Sequence, residues 1–148
     1  MSLQEQVTQQ LKAAMKAKDS VALESLRAIK SAILLTQTQA GAKDLTTEDE
    51  IKLVQKLVKQ RKDSAEIFRQ QGREDLAEPE EAQIRIIEQF LPEQLDKAAI
   101  AKIIEGIITQ TNAEGMKDMG KVMGMASKAM AGKADGKTIS AILRQKLS

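Results

Sequence analysis

Five lysines near the end of the chain have the type and spacing to do chemistry. Lys117, Lys121 and Lys128 fall on one stretch of helical pattern. At about 100° per residue they lie within roughly 40° of one another. Met119, Val122, Met123, Ala126 and Met130 take the opposite side. Lys133 and Lys137 flank the connection Gly132-Lys133-Ala134-Asp135-Gly136, whose glycines permit a ligand to approach the backbone closely. Ammonium groups beside a short loop and a helix N-terminus can hold phosphates. The competing reading is the solvated face of an ordinary amphipathic helix. Residues 95–148 contain no aromatic, so side-chain stacking on bases is absent there. An RNA on this surface would be held by its phosphates and shape, with steep salt dependence and little sequence readout. A structured RNA such as tRNA fits that mode better than an unpaired strand.

A second group stands earlier. Arg61 occupies a stripe position between Val58 and Ala65 where an apolar residue is due, and Gln60 is beside it. Arg27 and Arg73 are its companions, while Asp75, Glu78, Glu80 and Glu81 crowd the entry to the next helix. Two readings stand. Arg27, Arg61, Arg73 and Glu81 could form a polar pocket for an anion or a carboxamide. Alternatively, guanidinium–carboxylate pairing fixes the third helix on the fourth.

Other motifs are weaker. The 132–138 stretch looks like a phosphate-binding loop but has three residues between its glycines, where that motif needs four and a preceding strand. ATP binding is not expected. Met116, Met119, Met123, Met125 and Met130 have no Cys or His to share a copper ion, and methionine at helical spacing fills a core. Ser64 and Ser127 sit near lysines but outside any Gly/Ser-rich loop, so no catalytic nucleophile is assigned.

Composition narrows the chemistry further. The chain has 148 residues, with 23 Lys+Arg against 21 Asp+Glu, which excludes a uniformly basic coat for nucleic acid but not a local patch. It has no Cys and no His, and its only aromatics are Phe68 and Phe90. Zinc enzymes, Ser-His-Asp and Cys-His hydrolases and c-type haem proteins are thereby removed. No metal site and no cofactor are expected. The longest apolar stretch, residues 98–108, is broken by Lys102 and Glu105 and falls short of the roughly 18 residues of a membrane span. The first five residues lack a basic n-region and an apolar h-region. A cytoplasmic protein is expected.

The elements that must position these residues all have helical period. Leu3, Val7, Leu11 and Ala14 form one stripe, and Ala22, Leu26, Ile29 and Ile33 the next, with a break near Asp19-Ser20. Residues 41–44 read as a loop. Thr47 and Glu50 read as a capping box opening a third helix with Ile51, Val54, Val58, Ala65 and Phe68 on its face. Gly72 stops that helix. Pro79 stands at or near the first position of a fourth, built on Ile84, Ile87 and Leu91 and ended by Pro92. Asp96 caps a fifth, with Ile100, Ile103, Ile104, Ile107 and Ile108 inward. After a turn at 112–115, a sixth helix spans about residues 117–131. Asp135 caps a seventh, which packs through Ile139, Ile142, Leu143 and Leu147.

The fold expected is all-α: an N-terminal four-helix bundle, residues 1–94, then a small three-helix unit, residues 95–148. Charge divides with it. Residues 1–94 hold 14 Lys+Arg against 16 Asp+Glu, and residues 95–148 hold 9 against 5. The basic second unit points to a polyanionic partner.

Leu26-Arg27, Ala32-Ile33, Gln60-Arg61, Phe68, Gly72-Arg73-Glu74-Asp75-Leu76-Ala77, Glu80, Leu91-Pro92, the 116–123 segment and Gly132-Lys133-Ala134-Asp135-Gly136 occur in one order. In these the chain resembles the GatB/YqeY family, specifically its short, free-standing YqeY-like proteins, over nearly its whole length. The 72–77 and 116–136 stretches are the specific parts, and Pro79 is a departure that places the start of the fourth helix later. The resemblance implies the same two-part all-α fold. It also implies that the second unit is similar to the tail domain of the B subunit of the tRNA-dependent amidotransferase. There the tail engages tRNA, while the kinase and glutamine amidase chemistry lies in other parts of the enzyme. Lys117, Lys121, Lys128, Lys133 and Lys137 occupy the matching tail segment, and the catalytic cores have no counterpart. The expected function is a tRNA-binding accessory protein without its own catalysis, with an amidotransferase or aminoacyl-tRNA synthetase subunit as protein partner. Two other readings stay open. One is a component of a carbon–nitrogen ligase or amidase reaction with glutamine as amido donor. The other is a protein-interaction module that docks through its acidic first unit.

Overall fold

Each apolar stripe becomes the buried face of a helix. The computed structural model describes residues 1–39, 41 and 43–148; Ala42 of the expected 41–44 loop lies outside these. Among the described residues there are seven α-helices and no strand. The chain divides into two compact units, Met1–Leu91 and Pro92–Ser148.

The first unit contains α1 (Leu3–Ala17), α2 (Ser20–Gln39), α3 (Thr47–Gln70) and α4 (Glu74–Glu88). Helix α2 packs against each of the other three, and α3 against α4. Its Leu26, Ile29 and Ile33 are almost fully buried, with Val7, Leu11, Val54, Val58 and Ile87 around them. Each such side chain contributes about 1.5–3 kcal/mol on leaving water. Ser25 is buried among them and satisfies its hydroxyl by donating to the Val21 carbonyl.

Two helix starts differ from the sequence reading. The capping box is Thr46 with Asp49, not Thr47 with Glu50. Glu50 is taken by a distant partner, its carboxylate accepting the Leu3 N–H at the start of α1. Helix α4 begins at Glu74, so Pro79 lies inside it rather than at its first position. The turn ahead of Pro79 is held by the completely buried Ala77 and by ion pairs to Glu74 and Asp75. Those contacts offset the hydrogen bond that the proline ring cannot make.

The α3–α4 turn is as expected at Gly72, which has φ of 72°. Its N–H donates to the Arg69 carbonyl at 3.0 Å, and the Arg73 N–H to the Phe68 carbonyl at 2.8 Å. This pair of bonds is the Schellman closure of a helix C-terminus.

The second unit contains α5 (Lys97–Thr111), α6 (Met119–Ala129) and α7 (Gly136–Leu147), each packed on the other two. Ile100, Ile104, Val122, Ala126, Met130, Ile139 and Leu143 form its core. Met130 is completely buried, and Met119, Met123 and Met125 pack at its edge. The methionines are therefore filling between helices; Met116 is exposed. Asp96 and Asp135 cap α5 and α7 by accepting the Ala99 and Thr138 N–H groups. The division after Leu91 falls earlier than a boundary at 94/95. Gln94 falls on the second unit's side, its amide hydrogen-bonded to the Gly132 carbonyl.

Candidate nucleic-acid interface

The sixth helix is shorter than its pattern. Residues Met116–Asp118 form a 3-10 turn, and α6 proper runs from Met119. The Asp118 carboxylate accepts the Glu114 N–H at 2.9 Å, which tightens the chain there. Lys117 consequently leaves the α-helical register, and its ammonium pairs with Glu114. Lys121 and Lys128 remain on α6, about 20° apart around its axis. Both are exposed, as are Lys133 and Lys137 on either side of the loop to α7.

Charge in this unit is unevenly spent. Asp96, Asp118 and Asp135 are occupied by backbone N–H groups. Glu114 pairs with Lys117, and Glu105 with Lys146. Among the described residues, Lys121, Lys128 and Lys133 have no carboxylate within ion-pair distance. All three side chains are exposed to water.

The loop that carries Lys133 is held by backbone hydrogen bonds. Gly132 has φ of 78° and is buried. The Lys133 N–H donates to the Met130 carbonyl, and the Lys133 carbonyl accepts the Leu95 N–H at 2.8 Å. Gln94 carries no signal in the sequence, yet its side-chain amide donates to the Gly132 and Pro92 carbonyls, both at 2.7 Å. The contact bridges 38 positions, which no local pattern announces.

The four residues of the expected polar pocket make no hydrogen bond or ion pair with one another among the described residues. Arg27 is exposed on α2 and has no ion pair among the described residues. Arg61 donates to Gln83 at 2.9 Å and to the Leu57 carbonyl, and Gln83 donates on to Glu24. Arg73 forms two parallel bonds to Asp75 at 3.0 Å. Glu81 pairs with Arg69, which also makes two bonds to Glu74. Of the four, only Glu81 lines the groove between α3 and α4, with Lys62, Ala65, Arg69, Gln70 and Ile84. The arrangement is thus the helix-fixing network, and its hub is Arg69, which the sequence reading passed over. The signal was there: Arg69 precedes the Gly72 turn and Glu74 follows it.

The hydrogen bond from Arg69 holds the Glu81 carboxyl below its ordinary value of 4.5, against a smaller opposing effect of burial. The hydrogen bond from Arg73 does the same for Asp75. A carboxyl whose folded-state pKa is lowered stabilises the fold above its unfolded value and loses that contribution as pH falls through the folded one. The urea midpoint of the first unit should therefore be flat from pH 7 to about 5 and drop below about 4. Arg69→Gln should flatten the acid limb, measured by urea unfolding across that range. An acid limb of the same steepness in the variant would remove Glu81 as its source. The effect is small, because these side chains are about 40–60% exposed.

Comparison with known proteins follows the same two-unit length. The profile of the family described as Yqey-like protein matches residues 4–147. A relative from Pyrenophora tritici-repentis, "Altered inheritance of mitochondria protein 41, mitochondrial", is 32% identical over 127 residues, covering 84% of this chain and 68% of that protein. The protein of the same name from Lachancea thermotolerans is 42% identical over 93 residues, and the match spans 63% of this chain and about half, 49%, of that protein. A protein from Thermococcus sibiricus, named as one of the subunits of a glutamyl-tRNA(Gln) amidotransferase, is 32% identical over 108 residues, 70% of this chain but 17% of that protein. The fungal names overturn the cytoplasmic expectation, since four such relatives are named mitochondrial. That expectation rested on a missing secretory signal, which speaks only to the secretory route and never separated the cytoplasm from an organelle.

Proposed function

The chain belongs to the Yqey-like protein family, and from that premise we propose that it is an accessory module whose second unit binds structured RNA of the tRNA class. The observation that carries the reading is the exposed set Lys121, Lys128 and Lys133, none of which makes an ion pair among the described residues. Similarity to an archaeal protein named for a tRNA amidotransferase supports the choice of RNA. The matched stretch is 17% of that protein, and the proposal gives these 148 residues a binding role without catalysis. The protein partner proposed is an amidotransferase or synthetase subunit.

The test is binding of the pure protein to bulk tRNA from about 50 to 200 mM salt, with duplex DNA as control. Tight binding that prefers tRNA and weakens steeply with salt is the expected result. No binding at the low-salt end overturns the reading.

The same reading accounts for two glycines. Gly120 and Gly124 lie one turn apart on α6, exposed, with open space where a Cβ would sit. Nothing inside the unit requires them, and glycine in a helix interior costs about 0.5–1 kcal/mol relative to alanine. Gly120→Ala with Gly124→Ala should raise the thermal midpoint and yet weaken tRNA binding, because a nucleic-acid backbone loses its close approach beside Lys121 and Lys128. Binding that stays unchanged in a stabilised variant would place the glycines outside the interface.

A further inference from the structure

We infer that Gln94 is a positioning residue for the RNA surface, holding the 132–136 loop in the form that presents Lys133. The inference rests on the RNA reading above and adds to it a residue that contributes no charge.

The geometry is that of a strap. Residues 92–95 lie along the loop, and two bonds cross between them. Gln94 Nε2 donates to the Gly132 carbonyl and Leu95 N–H to the Lys133 carbonyl, at 2.7 and 2.8 Å. The same Nε2 also donates to the Pro92 carbonyl at 2.7 Å, so one amide group holds both sides together. A carboxamide –NH2 has two donors, and both are used. On the loop side, the Lys133 and Ala134 N–H groups donate back to the Met130 carbonyl. The backbone of Lys133 is thus fixed at its N–H and its carbonyl while its side chain is exposed. Ala134 is buried in the core of the unit, and Asp135 then caps α7 two residues before Lys137. A glycine at each end would leave this connection mobile. The strap is what restrains it from outside, and Lys133 lines the groove beside it with Glu93, Gln94, Leu95, Asp96 and Ala99.

A loop held in its binding form does not lose affinity to the unproductive forms it would otherwise populate. Gln94→Met keeps the length of the side chain and removes both donors. It should weaken tRNA binding about fivefold with the salt slope unchanged, because no phosphate contact carries less charge. Lys133→Ala should weaken binding and also make the slope shallower by about 0.9. In the double variant, Gln94→Met should cost less than it does alone, since Gln94 acts through Lys133. Hydrogen exchange at the Leu95 amide, faster in Gln94→Met at an unchanged thermal midpoint, reports the loosened strap without RNA.

The outcomes separate the two claims. Wild-type protein that does not bind tRNA at low salt overturns the RNA reading and this inference with it. Wild-type binding with Gln94→Met equal to it overturns the inference alone, as does full additivity with Lys133→Ala. If Gln94→Met lowers the thermal midpoint, Gln94→Asn replaces it. That side chain stays neutral and keeps the amide but falls one methylene short of the Gly132 carbonyl, and it should weaken binding with the salt slope unchanged.

Discussion

Replacing Lys121, Lys128 and Lys133 together by glutamine should weaken tRNA binding about 100-fold near ~0.1 M salt, and make the slope of log K against log salt shallower by about 2.7. Each ammonium that contacts a phosphate releases close to one counterion, so the slope counts contacts directly. The three were chosen by what the structure leaves unpaired. Lys117 also belongs to the expected surface, but it sits in the 3-10 turn with Glu114 beside it, so its removal changes the local field less. Folding should be nearly untouched, since all three side chains are exposed and make no ion pair among the described residues; such surface changes stay within about 0.5 kcal/mol. A salt titration by fluorescence anisotropy, with circular dichroism as the folding control, measures both quantities. A slope equal to wild type in a folded variant would take the three lysines out of the interface.

How far the molecule could be read from its sequence depends on whether the deciding contact is local. The apolar stripes are local, with period near 3.6, and Leu3, Val7, Leu11, Ala14, Ala22, Leu26, Ile29 and Ile33 are all buried where the pattern puts them. The caps Asp96 and Asp135 and the stop at Gly72 are local as well. Thr46-Thr47-Glu48-Asp49-Glu50 offers two capping registers. The choice between them is made by Leu3, 47 positions away, which takes Glu50. Helix α4 starts ahead of Pro79 because Arg69 and Arg73 reach across a turn to Glu74 and Asp75. Arg61 was legible as an oddity in an apolar stripe but not as a partner of Gln83. In the second unit, the lysines announce themselves by type, whereas the strap that shapes their loop is a contact between neutral groups far apart in sequence.

Leu143→Ala should unfold much of the second unit while the first stays folded. Leu143 is completely buried in the cluster with Ile104, Val122, Met130 and Ile139, and deleting such a side chain costs about 2–5 kcal/mol. The unit has 57 residues, Pro92–Ser148, and a domain of that size holds roughly 3–9 kcal/mol at about 0.05–0.15 kcal/mol per residue. The cost and the reserve are therefore comparable. Amide hydrogen exchange should show protection lost across α5, α6 and α7 and kept at Leu26, Ile29 and Val54. Loss in both units together would mean that they unfold as one cooperative body. RNA binding separates this variant from the lysine variant. Its lysines are intact, so the salt slope should equal wild type while the apparent affinity falls by the folded fraction. Saturating tRNA should then restore protection in α5–α7, since a ligand at about 100 times its Kd stabilises the folded form by about 2.7 kcal/mol. A charge-only surface on an unfolded segment would bind without restoring that protection, so the recovery tests whether the fold, and not the count of lysines, makes the site.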